Sequence, residues 1–352
     1  MIIDSHVHLR DWKEESGKET VRHGLEVARD SSVSAVFEMP NTRPSIFTEE
    51  MVRERIKLAD NAKVPEVFHG LYLGLTKNSE QVRRAVDISR KYFPRVVGMK
   101  LYAGQSTNDL GVIMEHEQRM IYEVLSEENY DGVLVVHCEK ESLIDRGKFI
   151  HMEPITHCHA QPEEAEIESV RDQIKFAREY NFSGKLHIAH VSSPETVELV
   201  SHAKQNGLDI SSEICPHHFI YDWGNMCGNG GILYKMNPPL RSPESRKEVF
   251  QMLKSGKIDW IATDHAPHTL EDKTEKHMSG IPGLPSWPLF IEYLRKNDFS
   301  DKEIENLTFN NIQKRFGIDI KKNNTWIKDR TRDYAYNPYT QIENELDWNK
   351  ND

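Results

Sequence analysis

Residues 67–92 are VFHGLYLGLTKNSEQVRRAVDISRKY, and this stretch contains the unit from which the chain is built. The apolar run 67–74 predicts a buried strand, and the apolar residues of 79–92 recur at helical spacing. The same order of strand and helix recurs along the chain. We predict strands at 2–9, 34–39, 67–74, 96–102, 132–137, 185–190, 209–214 and 260–263, and helices at 48–61, 79–92, 113–126, 163–180, 194–206 and 243–255.

About eight strands separated by helices predict an α/β protein with a (β/α)8 TIM barrel, and a doubly wound open sheet is the alternative. The barrel is favoured because polar residues fall at or just after the carboxyl ends of the predicted strands. In a barrel these ends meet at one mouth, where active sites are built. The residues are His6, His8, Asn41, Lys100, His137, His190 and Asp264.

The composition points to a small-molecule substrate. The chain has 352 residues and a formal net charge of -11, without a long basic run, which argues against binding to nucleic-acid phosphates. No apolar run could span a bilayer, the first residues do not resemble a secretory leader, and the four cysteines form no Cys-x-x-Cys pair. We therefore expect a cytoplasmic protein with neither a nucleic-acid nor a membrane partner.

The segment DSHVHLR at 4–10 predicts a metal site. Residues two apart in a strand point to one face, so the imidazoles of His6 and His8 can bind the same ion. Imidazole is a common ligand of zinc and similar transition metals. A histidine pair at the end of a buried strand suits a catalytic site.

Two loops and the C-terminal region depart from the alternation. Residues 140–162 and 225–239 form loops long enough to be functional lids or binding segments. After about residue 317 the composition changes to Lys, Asn and Asp, with a weak strand pattern at 333–339. We therefore divide the chain into a barrel at 1–317 and a C-terminal extension at 318–352.

Five motifs occur in the order and context of the amidohydrolase superfamily, and within it the chain resembles the dihydroorotases. The motifs are HVH at 6–8, GMKLY at 98–102, VHCE at 136–139, AHVS at 189–192 and ATDHAPH at 262–268. The similarity covers about residues 2–316. It implies the same barrel fold. The small accessory β-sandwich that many relatives carry is expected to be mostly absent, with 318–352 interpreted as a remnant of it.

The resemblance also implies a ligand set for a metal centre. The implied ligands are His6, His8 and Asp264 for one zinc ion, His137 and His190 for a second, and N6-carboxylated Lys100 as the bridge between them. A lysine suits this position because its neutral amine can add CO₂ to give an anionic carbamate with two oxygens. Some dihydroorotases lack the lysine and use an aspartate from the corresponding loop, so Asp109 is the alternative to Lys100.

The expected substrate carries a carboxylate. The planar guanidinium of Arg10 can hold a carboxylate through two parallel hydrogen bonds. In the family that the chain resembles, residues at the positions of Asn41 and His268 also bind the carboxylate, backbone near Asn237 contacts the ring, and Asp264 transfers the proton. The implied reaction is the reversible hydrolysis of dihydroorotate to N-carbamoyl-aspartate in pyrimidine biosynthesis.

Two other functions are weighed against this one. A hydantoinase, dihydropyrimidinase or allantoinase shares the metal ligands but lacks, as a family pattern, the joint set of Arg10, Asn41 and His268. A non-catalytic scaffold with the same fold usually loses metal ligands, whereas the whole set is present here. The motif EICPHH at 213–218 is expected to support the site. The oligomeric state is left open, with a homo-oligomer among the alternatives.

Overall fold

Eight parallel strands form one sheet in chain order in the computed structural model, which describes residues 1–12, 15–106, 110–228, 230–321 and 328–348. The strands are β1 (Ile2–Val7), β2 (Val33–Glu38), β3 (Phe68–Gly74), β4 (Val96–Ala103), β5 (Val133–Cys138), β6 (Lys185–Ile188), β7 (Ile210–Ile214) and β8 (Trp260–Ile261). The ring closes just beyond β8, where the amide of His8 donates to the carbonyl of His265 at 2.7 Å. The predicted barrel is confirmed, and the open-sheet alternative is wrong.

The helices begin and end within two residues of their predicted bounds wherever a helix was predicted. They are α1 (Val21–Asp30), α2 (Glu49–Ala62), α3 (Ser79–Tyr92), α4 (Glu115–Glu127), α5 (Thr156–Ala160), α6 (Glu163–Glu179), α7 (Pro194–Gln205), α8 (Pro216–Ile220), α9 (Pro243–Lys254), α10 (Leu270–Thr274), α11 (Trp287–Lys296), α12 (Asp301–Glu305), α13 (Asn311–Phe316) and α14 (Thr340–Glu345). The side chain of Asn78, for example, accepts from the amide of Gln81 and caps α3. Among the described residues, no helix combines the length and apolarity that a membrane crossing requires.

Apolar side chains fill the amino-terminal end of the barrel. The ring of Phe316 lies 5.0 Å from that of Phe37 in β2, 6.1 Å from Tyr72 in β3 and 6.1 Å from Trp260 in β8, between centroids. Phe316 belongs to an apolar cluster that also contains Val133 and Val135 of β5, so it closes this end of the barrel. Polar side chains are left to the carboxyl end, which is the end that can receive a ligand.

The C-terminal residues 328–348 pack on the barrel through side chains and contain no strand in the part that is described. A 3₁₀ helix at Thr331–Asp333 is followed by irregular backbone and α14, so the weak strand predicted at 333–339 is wrong. The hydroxyl of Tyr334 donates to the carboxylate of Glu19 at 2.7 Å, and the hydroxyl of Tyr221 donates to the carbonyl of Pro338 at 2.9 Å. Contacts with the barrel therefore decide this conformation. The domain division at residue 317 stays a prediction.

Candidate functional site

A cavity of about 480 Å³ opens at the carboxyl end of the barrel, and it is lined by every residue of the predicted site. The alternative ligand Asp109 lies outside the described residues. The lining includes His6, His8, Arg10, Asn41, Lys100, His137, His190, Asn237, Asp264 and His268. The fold thus brings together side chains that are more than 250 residues apart in the chain.

Two histidines of the β1 end converge on one carboxylate oxygen. Nε2 of His6 lies 3.3 Å, and Nε2 of His8 lies 2.9 Å, from Oδ1 of Asp264. The other ring nitrogen of each histidine is already committed as a donor: Nδ1 of His6 donates to Glu213 at 2.6 Å, and Nδ1 of His8 donates to Asn41 at 2.8 Å. In a neutral imidazole, Nε2 then carries a lone pair.

Burial keeps the imidazole of His8 neutral. It lowers the pKa of His8 to about 4, although the hydrogen bond and charge of Asp264 act in the opposite direction. Burial by itself raises the pKa of Asp264, but the neighbouring His6 and His8 outweigh it and lower the pKa. At neutral pH, the lone pair on Nε2 of His8 therefore faces an ionised carboxylate, and a cation between these two groups would relieve their repulsion.

The backbone at two of these positions is unusual. Asp264 has φ 48° and His190 has φ 35°, so both residues adopt the left-handed conformation that favours glycine. Each residue follows a barrel strand. Strained backbone of this kind persists where the surrounding structure holds it, and it is concentrated at functional sites.

The β5 and β6 ends supply a second pair of imidazoles. Nδ1 of His137 lies 2.9 Å from Nε2 of His190, while Nε2 of His137 donates to Glu139 at 3.1 Å. Nδ1 of His190 is buried and has no hydrogen-bond partner among the described residues. Burial, followed by the charge of His137, lowers the pKa of His190 well below its usual value.

Lys100 lies within β4, three residues before the end of the strand, and is fully buried beside these histidines. Its Nζ has no hydrogen-bond partner among the described residues, and it lies 5.1 Å from the ring centre of Tyr102. Burial lowers the pKa of Lys100 to about 8, against the opposing charges of Glu213 and Asp264. A sizeable fraction of the amine is therefore neutral near physiological pH, which is the form that can add CO₂.

Arg10 lies at the other side of the cavity beside His268. The two approach at 3.3 Å between Nη2 of Arg10 and Nε2 of His268, but that Nε2 also lies 3.0 Å from the carbonyl of Ser279. Because the carbonyl can only accept, Nε2 of His268 is best assigned as the donor to it and cannot also accept from Arg10. No carboxylate within the described part of the chain forms an ion pair with Arg10, whose side chain is buried.

The two asparagines of the predicted site differ in what their oxygens contact. Oδ1 of Asn41 receives the hydrogen bond from His8, so this residue orients a predicted metal ligand besides facing the cavity. Oδ1 of Asn237 lies 3.0 Å from Nε2 of His157 and accepts from the hydroxyl of Ser279 at 3.2 Å. Asn237 thereby connects its own loop with the loop that contains His157 and with the loop that contains Ser279, at the outer wall of the cavity.

Glu213 supports the site as expected of its motif, since it accepts from Nδ1 of His6. Sequence reasoning missed two other contributors to the site. Glu139 contacts His137, and its position two residues further along the strand end could have identified it. Lys235 lines the cavity and donates to Ser279 at 2.7 Å; its place just before the Asn237 loop was the available indication.

Known proteins resemble this chain in sequence and in fold. No protein-family model matches the chain. The chain is 31% identical over 312 residues to a dihydroorotase from Halalkalibacterium halodurans, which covers 86% of this chain and 69% of the relative. An L-hydantoinase from Arthrobacter aurescens superposes with a TM-score of 0.80 at 24% identity, covering 94% of this chain and 74% of the other. A Saccharomyces cerevisiae dihydroorotase in complex with 5-fluoroorotic acid superposes with a TM-score of 0.72 at 20% identity, covering 91% and 84%.

The structural likenesses show the fold, which is the (β/α)8 barrel shared with these enzymes. The sequence relatives show the family as well as the fold. The chain belongs to the dihydroorotase family of cyclic-amide hydrolases. The resemblance stated from the sequence is confirmed, and the non-catalytic scaffold is not supported. Family membership implies a metal cofactor, and His6, His190 and Asp264 offer donor atoms that all lie within 4.8 Å of one another.

Proposed function

We propose that this protein hydrolyses dihydroorotate to N-carbamoyl-aspartate and catalyses the reverse ring closure in pyrimidine biosynthesis. The observation that carries the proposal is the buried guanidinium of Arg10, which has no carboxylate partner among the described residues. Burying an unpaired cation is costly, so a bound anion would complete it. The substrate carboxylate is such an anion, and the yeast relative binds 5-fluoroorotic acid, a pyrimidine that carries a carboxylate.

The proposed cofactor is a pair of zinc ions. His6, His8 and Asp264 would hold one ion, His137 and His190 the other, and N6-carboxylated Lys100 would bridge them. Two features of the donor set fit: the lone pair of His8 that faces Asp264, and the buried Nζ of Lys100, which has no hydrogen-bond partner among the described residues. Bound zinc supplies a more acidic attacking water and polarises the ring carbonyl.

The residues of the site have two roles in this reaction, which are proton transfer and positioning of the substrate. Asp264 accepts the proton of the attacking water as the new C–O bond forms, and it returns the proton to the ring nitrogen as the C–N bond breaks. Arg10, His268 and Asn41 hold the substrate carboxylate, which fixes the ring over the reacting centre. Asn237 positions the loop that contacts the ring.

The experiment that tests this function compares substrates and one variant. Purified protein, with its metal content measured on the same sample, is assayed for ring opening of dihydroorotate, hydantoin and allantoin. We expect dihydroorotate to be the preferred substrate. We expect Arg10→Ala to lower kcat/KM for dihydroorotate roughly 10- to 100-fold, since a hydrogen bond to a charged group contributes about 1.5–3 kcal/mol.

The matched control is Arg171→Ala, which removes an exposed arginine paired with Glu168 and Glu195 on the outer surface. This variant should keep the wild-type rate. Wild-type protein that prefers hydantoin, or an Arg10→Ala variant with unchanged dihydroorotate turnover, would contradict the proposal and favour a hydantoinase-like amidase.

A further inference from the structure

A second group of buried donor atoms lies at the end of β7, next to the cavity but not part of its lining. Cys215, His217 and His218 each offer one ligand atom, and these atoms all lie within 4.8 Å of one another. The three residues are 0%, 0% and 3% exposed. None of them belongs to the ligand set proposed for the catalytic ions.

The histidines of this group have unused ring nitrogens. Both nitrogens of His217 lack a hydrogen-bond partner among the described residues, although the residue is fully buried. An unsatisfied buried polar group costs about 1–3 kcal/mol, and native structures contain few of them. His217 therefore requires an occupant that it can bind.

His218 is prepared for ligation by its backbone contact. Its Nε2 lies 3.0 Å from the carbonyl of Pro238 and donates to it, because a carbonyl can only accept. Nδ1 then carries the lone pair, and it has no partner within the described residues. Histidines that bind metals commonly donate their second ring nitrogen to a carbonyl or carboxylate in this way, which fixes the tautomer.

Cys215 completes the set with a soft donor. The side chain is fully buried and belongs to no disulfide. Burial raises the pKa of its thiol, so without an ion the group stays neutral. The hydroxyl of Tyr339, from the C-terminal segment, is also buried, has no hydrogen-bond partner among the described residues and interacts electrostatically with Cys215.

We propose that Cys215, His217 and His218 bind a borderline-soft divalent cation such as Zn²⁺ at a site separate from the catalytic ions. One sulfur and two imidazole nitrogens are a donor set that zinc favours. On binding, Cys215 loses its proton to solvent and ligates as the thiolate. The ion would tie the end of β7 to the Pro238 segment, and thus to the cavity wall that carries Asn237.

Sulfur provides a spectroscopic test that does not depend on turnover. The full-length protein is depleted of metal and refilled with Co²⁺, and its near-ultraviolet spectrum is examined for a thiolate-to-cobalt charge-transfer band. The ligands proposed for the catalytic ions contain no sulfur, so this band reports the Cys215 site alone. We expect the band in the wild type, its complete loss in Cys215→Ser, and its retention in Cys138→Ser, which alters another buried cysteine.

X-ray absorption of the wild-type zinc protein tests the same site without the Cys215 variant, so the test remains valid if that variant misfolds. A shell of sulfur at about 2.3 Å from zinc is expected. Absence of both the cobalt band and the zinc–sulfur shell in the wild type, or a band that survives Cys215→Ser, would overturn the proposal and leave buried water as the occupant. If both sulfur signals were observed but the protein did not turn over dihydroorotate, the result would contradict the proposed function and would still support the Cys215 site.

Discussion

The two sides of the cavity are prepared for metal to different extents. On the β1–β8 side, the imidazoles of His6 and His8 each have one nitrogen held by another side chain, at 2.6 and 2.8 Å. On the β4–β6 side, His137 is held by Glu139, but Nζ of Lys100 and Nδ1 of His190 have no partner among the described residues.

This difference shows which part of the site the polypeptide organises without an added ligand. The β1–β8 side has its imidazoles oriented by protein groups alone, so it is arranged before any ion binds. The β4–β6 side contains the buried amine of Lys100, which no described residue hydrogen-bonds, and this is unfavourable until something is added to it. We infer that the β1–β8 side is the more strongly preorganised half and that the β4–β6 side depends on CO₂ and metal.

The largest effect is expected from Lys100→Met, which removes the group on which the β4–β6 side depends. Turnover and metal content should fall by more than the roughly 10- to 100-fold that loss of a ligand's outer partner costs. The metal-free variant should nevertheless be more stable, by about 1–3 kcal/mol, because a buried unsatisfied amine is replaced by an apolar chain. Metal analysis, turnover and urea unfolding of the metal-free protein measure the three effects.

Lys235→Met is the matched control for this lysine. Nζ of Lys235 donates to Ser279, so its removal breaks a hydrogen bond and should bring neither metal loss nor a gain in stability. If Lys100→Met kept full metal content, the bridge would not involve Lys100, and Asp109 would become the preferred candidate.

A smaller effect is expected from Glu213→Gln on the β1–β8 side. The change keeps the shape of the side chain but removes the charge that orients His6, so zinc affinity should fall roughly 10- to 100-fold. Competition titration with a chelator measures the affinity. Glu38→Gln alters another buried carboxylate, held by Arg55 and His69, and should leave zinc affinity unchanged. Equal affinity in wild type and Glu213→Gln would mean that the β1–β8 side needs no such support.

The smallest effect is expected from Glu19 and His23, which support the β1–β8 side from outside the cavity. Glu19 lies 3.0 Å from His265, the neighbour of Asp264, and its hydrogen bond raises the pKa of His23 to about 9. Since this pKa lies above the usual 6.5, the stabilisation is complete below pH 6.5 and is lost as the pH rises through 9. Because His23 is partly exposed, the contribution should be about 1 kcal/mol.

Urea unfolding at about pH 6 and about pH 10 measures this contribution. His23→Gln should reduce the difference in stability between the two pH values, whereas His116→Gln, at an exposed helical position, should not. A His23→Gln variant with the full wild-type difference would show that the Glu19 contact does not stabilise the protein.

Much of the barrel could be predicted because strand and helix periodicity are local properties. Helix α3 has its predicted bounds, and Lys100 lies in its predicted strand. Helix α1 was not predicted, since Gly24 near its centre lowers helix propensity. That glycine is required by packing, because a Cβ there would lie 2.4 Å from Cδ2 of Leu9.

The order of the strands along the chain, and the polar residues near their carboxyl ends, could be read from the sequence, because side-chain alternation depends only on neighbours in the chain. Which of these residues are paired depends on the tertiary structure. Glu213 contacts His6 across 207 positions of sequence, and Lys100 has no hydrogen-bond partner among the described residues. Such pairings depend on how the closed barrel brings distant strand ends together, and no local pattern specifies that distance.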